Sequence, residues 1–202
     1  MMPGQVVEEV RGALSTAIAK PDGLGRPGPR NAARSRNFVE ALADRLRKTY
    51  RDEPHIAVFS KYFGGHRKTF GLNELLFDIL VCQTDSTAAA RGTEQLSFIA
   101  RGVLAVESEF ARDSREAMYD FNKLVLCAAE CKLFIGPRVT SEATFLAPLS
   151  AAAAHCTGTV LAVLVPHPSE WTAGQSCLDV SGHQWSGTNW VPLSVLGRGG
   201  TA

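Results

Sequence analysis

Apolar residues recur at helical spacing from residue 36 onward. In RNFVEALADRLRKTY, Phe38, Leu42 and Leu46 fall four apart, and Val39 and Tyr50 widen the stripe into one face of a first core helix. Three runs of strand character follow: HIAVFSKYF (55–63), NELLFDILVCQ (73–83) and IARGVLAVESEF (99–110). The turn GGHRKTFGL joins the first two. A second helix is predicted over DSREAMYDFNKLVLCAAE (113–130): Asp113 and Ser114 suit its cap, and Ala117, Phe121, Leu124, Val125 and Ala128 return at helical intervals. KLFIG (132–136) reads as a fourth strand stopped by Gly136 and Pro137. TSEATFLAPLSAAAAHC then reads as a helix broken at Pro148, and GTVLAVLVP (158–166) as a fifth, fully buried strand.

The flanks are patterned differently. Residues 5–19 form a short helix at most, and PDGLGRPGPRNAARSR (21–36) reads as a linker, because Pro and Gly sustain neither regular element. Residues 1–35 are therefore expected to be a basic arm outside the core, 36–166 an α/β core, and 167–202 an irregular segment. That last segment holds Trp171, Trp185 and Trp190 among Gly, Ser and Pro, with no clear period and no internal repeat.

Charge sharpens this division. The net charge is only +1, yet residues 1–70 carry 13 Lys and Arg against 7 Asp and Glu, while the remainder carries 8 against 13. A basic arm beside an acidic body suits a protein that holds phosphates with one part and metal ions with the other; an unevenly charged solvated surface is the plainer reading. Cys82, Cys127, Cys131, Cys156 and Cys177 lack CxxC spacing and a His partner pattern, so neither a disulfide framework nor a zinc site is indicated. No run reaches membrane-span length, and Glu8, Glu9 and Arg11 interrupt any signal-peptide order, which makes a cytoplasmic protein with no membrane partner the expectation.

Three carboxylates stand out against the apolar runs. Asp78 interrupts LLFDILV, where an unpaired charge costs several kcal/mol unless it is neutralised or holds a metal. Glu107 and Glu109 end the third strand two residues apart, a spacing of about 6.8 Å on one face, so both can reach a common ion. Oxygen donors without His or Cys favour Mg²⁺ or Mn²⁺. The plainer reading makes Asp78 the partner of a buried Arg such as Arg101 or Arg115. The basic turn with Lys61, His66, Arg67 and Lys68 suits phosphate contacts, or is an ordinary exposed hairpin turn.

The order helix, three strands, helix, strand over residues 36–136 resembles the common core of the PD-(D/E)xK nuclease superfamily. The matching residues are Asp78 in LLFDILV, Glu107 at the head of ESE, and Glu40 in NFVEALA. This resemblance implies a restriction-endonuclease-like αβββαβ core, a mixed central sheet flanked by helices. It also implies hydrolysis of DNA phosphodiester bonds with Mg²⁺ or Mn²⁺ held by Asp78, Glu107 and Glu40, in restriction, defence or repair, with a homodimer left open. Glu109 stands where the family usually has Lys, a variant that a minority of its restriction enzymes carry. Glu109 is then a general base or second-metal ligand, or Lys123 on the following helix supplies the ammonium. The departure also keeps open a fold that has lost catalysis and serves as a binding or regulatory module. On a helical wheel Glu40 lies beside Asp44 and Arg47, off the apolar face, where a solvated carboxylate is equally at home.

Overall fold

The apolar runs become the strands of one sheet whose order in space is their order in the chain. The computed structural model describes residues 1–20, 26–90, 92–172 and 179–193. The strands are β1 (Ile56–Ser60), β2 (Ile79–Ala88), β3 (Gln95–Ser108), β4 (Cys131–Pro137), β5 (Thr159–Val165), β6 (Ser181–Trp185) and β7 (Trp190–Pro192). β1, β2 and β3 form an antiparallel meander, β3, β4 and β5 run parallel, and β6 and β7 return antiparallel, giving a mixed sheet. Parallel strands need crossovers, and helices supply them: α4 (Ser114–Val125) links β3 to β4, and α5 (Glu142–Ala153) links β4 to β5. Their caps agree with the sequence, since Asp113 accepts from the Arg115 N–H and Ser141 from the Thr144 N–H.

Two apolar layers sandwich the sheet. On one face, α1 (Pro3–Ala19) and α2 (Pro27–Thr49) cover Val58, Ile79, Val81, Leu104, Val106, Leu133, Ile135, Leu161 and Val163. On the other, α4 and α5 share a core with Leu80, Cys82, Ala105, Phe134, Val160, Ala162 and Leu164, and His66 and Phe70 pack on Phe59. Alternate residues of each strand therefore serve opposite cores, which is why the central strands read as continuous apolar runs.

The expectation of a detached arm is overturned. α1 buries Val6, Val7, Val10, Ala13, Leu14, Ala17 and Ile18 and belongs to the core. α2 begins nine residues before the predicted helix, with Pro27 as its first residue. Proline breaks a helix interior, but in the first turn its missing N–H has no partner to lose and its φ is already helical. Of the predicted linker, residues 21–25 lie outside the described ones. Pro148 likewise fails to break α5: it sits on the exposed side, where water can serve the carbonyl its ring leaves free.

The described part of the C-terminal segment carries regular structure that its pattern did not suggest; residues 173–178 and 194–202 lie outside the described ones. β6 and β7 extend the sheet, and Trp171 is buried against Phe38 and Phe110 while its indole N–H donates to the Pro166 carbonyl at 2.7 Å. Between β1 and β2, the predicted hairpin turn is a 3-10 turn (Gly64–His66) and the short α3 (Arg67–Phe70), closed by Gly71 at φ 78°. Residues 73–78 precede β2 and are not strand. No helix among the described residues is long and apolar enough to cross a membrane.

Candidate functional site

Register brings the two leading carboxylates together. Antiparallel pairing sets Ile79 opposite Val106, so one step further along each strand Asp78 faces Glu107. Glu107 lies two residues after Ala105, and Asp78 two before Leu80, both of which pack beneath α4 and α5. The pair therefore sits at the end of the sheet where β1, β3, β4 and β5 all finish, under the α4 side.

Asp78 is anchored. Its Oδ2 accepts from the Ser108 N–H at 2.9 Å and from the Ser108 hydroxyl at 2.6 Å, continuing the ladder by side chain past the start of β2. Burial raises its pKa above the usual carboxylate range, against the pull of the Ser108 bonds and the Lys123 charge. Arg101, considered as its partner, points elsewhere and bridges Gln83 and Glu130.

Glu107 is 1% exposed, and its two oxygens are treated differently. Oε2 accepts from Lys123 Nζ at 3.1 Å, whereas Oε1 is buried with no hydrogen-bond partner among the described residues. Burial first, and then the neighbouring Asp78 charge, push its pKa up to about 8 despite Lys123. The ammonium also meets Asp120 Oδ1 at 2.8 Å, one helical turn back along α4. Burial alone would lower the Lys123 pKa; the hydrogen bonds and charges of Asp120 and Glu107 outweigh it and raise it.

Glu109 does not join Glu107. β3 ends at Ser108, so the strand alternation that would have aligned the two no longer applies. The Glu109 N–H donates to the Ile135 carbonyl, and its carboxylate accepts from the Ala111 N–H at 2.6 Å, closing the turn into α4. Burial raises its pKa, and the nearby Asp120 charge raises it further, against the pull of the Ala111 N–H. Glu40 is farther removed: α2 covers the opposite face, and its carboxylate pairs with Lys20 at 3.8 Å. Among the described residues, no three His, Cys, Asp or Glu side chains are grouped to hold a metal ion. Asp120 and Ser108 were missed from sequence. Asp120 had a signal, an acidic residue three before Lys123 on one helix face.

The basic segment sits at the same end of the sheet, because β1 finishes at Ser60 beside Ile79. Lys61, Arg67 and Lys68 are exposed. His66 is not free to grip phosphate: its ring packs against Phe59, Phe63 and Phe70, Nε2 lies 3.2 Å from the Val58 carbonyl, and burial lowers its pKa. Arg36 of α2 reaches the same end, 5.5 Å from the centre of the exposed Tyr62 ring. The space beside Ser108 and Glu109 is a shallow cleft of about 280 Å³ bounded by Asn31, Ser35 and His167. No protein-family model and no curated protein matches this chain.

Proposed function

We propose that the protein is a metal-dependent nuclease of the PD-(D/E)xK kind that hydrolyses DNA phosphodiester bonds, with Asp78 and Glu107 as metal ligands and Lys123 in place of the usual strand lysine. The observation that carries this reading is the half-satisfied buried Glu107: one oxygen on the Lys123 ammonium, the other without a partner, opposite Asp78. A buried carboxylate oxygen without a donor is costly, and a cation removes that cost. Two carboxylates fit Mg²⁺, which is commonly held by one or two such groups with water completing the shell. The succession α2, β1–β3, α4, β4 supports the corresponding core.

Bound by Asp78 and Glu107, Mg²⁺ or Mn²⁺ would polarise a phosphodiester oxygen and make an attacking water more acidic. The chain's own groups account for the rest. Ser108 fixes Asp78 through two hydrogen bonds, so its carboxylate orientation is set before any ligand arrives. Lys123 brings a positive charge to the rim of the carboxylate pair, where it can hold a phosphate oxygen or a water in a low-dielectric setting. Arg36, Lys61, Arg67 and Lys68 border the same end of the sheet and suit the phosphates of a strand crossing it.

The test is cleavage of plasmid and single-stranded DNA with Mg²⁺ or Mn²⁺ by wild type, Asp78→Ala, Glu107→Ala and Lys123→Met. Each variant should lose at least about 100-fold in rate, the scale of removing one preorganised charged group from a site. Binding without turnover in wild type, weakened steeply by salt, would favour the inactive binding module instead. Cleavage that survives Glu107→Ala would remove the proposed site.

A further inference from the structure

Lys123 is held at two points, and the two differ in kind. Its contact with Glu107 crosses from helix to sheet at 3.1 Å, onto a carboxylate that is 1% exposed. Its contact with Asp120 is within α4, three residues apart at 2.8 Å, with side-chain exposures of 36% for Lys123 and 26% for Asp120. The first contact depends on what else Glu107 binds. The second does not, because helix geometry holds residues three apart as neighbours whatever the sheet does.

We propose that Asp120 is a positioning residue that retains the Lys123 ammonium at the site when Glu107 turns to a divalent cation. This rests on Asp78 and Glu107 being the metal ligands. An ammonium on Glu107 Oε2 and a divalent cation on its Oε1 repel each other, so the cation weakens the hold of Lys123 on Glu107. Without a second acceptor, it would compete with the cation for Glu107 or swing into water. Asp120 prevents both: it lowers the cost of releasing Glu107 and leaves the positive charge within one helical turn of the carboxylate pair.

Removing either charge alters metal affinity by simple electrostatics, so the decisive quantity is the coupling between them. Calorimetric titration of the full chain with Mn²⁺ alone, for wild type, Lys123→Met, Asp120→Asn and the double variant, measures it. Asp120→Asn should weaken Mn²⁺ binding about five- to tenfold when Lys123 is present, and within about twofold when it is Met. Lys123→Met by itself should tighten Mn²⁺ binding, since the competitor for Glu107 is gone. Asp120→Glu should restore most of the affinity and turnover lost in Asp120→Asn, which also guards against a folding defect. Equal weakening by Asp120→Asn in both backgrounds would show a charge acting at a distance and overturn the proposal, leaving the nuclease reading intact. Absence of Mn²⁺ binding in wild type would overturn the ligand assignment and this inference with it.

Discussion

Two buried ionisable side chains lie on neighbouring strands under the same pair of helices, and they are accommodated in opposite ways. Lys132 of β4 is 0% exposed, with its ammonium enclosed by backbone: it donates to the Ala129 carbonyl at 2.8 Å and to the Thr157 carbonyl, with the Thr157 hydroxyl at 3.5 Å. The turn offering Thr157 is set by Gly158 at φ 73°, where a Cβ would come 2.4 Å from the Glu130 carbonyl. Glu107 of β3 is as deeply placed, but one of its oxygens has no donor. A charge with its hydrogen-bonding capacity filled has nothing left to offer a ligand, and staples the α4–β4 and α5–β5 connections together. A group with one oxygen unfilled keeps an open position, which on the proposed reading is where the cation binds.

The sharpest way to break this contrast is Lys132→Met. It leaves the buried Ala129 carbonyl and the part-buried Thr157 carbonyl without this donor and should lower the unfolding free energy by about 2 kcal/mol in urea titration; on the nuclease reading, the folded fraction should keep its full cleavage rate. Loss of cleavage in folded Lys132→Met would mean that both charges serve the site.

Glu107→Gln should have the opposite sign. The folded-state pKa is about 8 against an ordinary 4.5, so between these values the native protein binds more protons than the unfolded chain. This contribution to metal-free stability is fully present below 4.5 and is lost as pH rises through 8, at up to roughly 1.4 kcal/mol per pH unit. The variant should remove that slope and be more stable than wild type at pH 8 by about 2 kcal/mol, measured without metal by urea unfolding across pH. A wild type whose stability rises over this window relative to the variant would refute it.

Ser108→Ala tests the anchor on Asp78. Losing the hydroxyl but keeping the N–H should cost about 1 kcal/mol and raise the Asp78 pKa further, followed by carboxyl NMR titration. The smallest effect belongs to Glu40→Gln: an exposed pair with Lys20 is worth less than about 0.5 kcal/mol, and cleavage should be unchanged. A large loss of cleavage there would return Glu40 to the site despite its place on the far side of the sheet.

The pattern of apolar and polar residues was enough to locate the central strands, the helix after β3, and the break that Asp78 makes before an apolar strand. Those features follow from local periodicity and from the cost of a charge among Leu, Phe, Ile and Val. Local signals misled where context reverses their meaning. Pro27 marked a linker but starts a helix, and Pro148 marked a break but rests on the exposed side of α5. The period of two aligned Glu107 with Glu109, yet the strand stops between them. α1 reads as marginal alone and gains its place by burying an apolar face on α2 and the sheet, as short helices do.

What only the tertiary structure decided is who meets whom. That Asp78 faces Glu107 depends on strand register, and that Lys123 reaches Glu107 rather than solvent depends on how α4 crosses β3. Sequence decides which side chains are charged and which elements carry them; the distances that bring Asp78, Glu107 and Lys123 together come from packing between elements far apart along the chain.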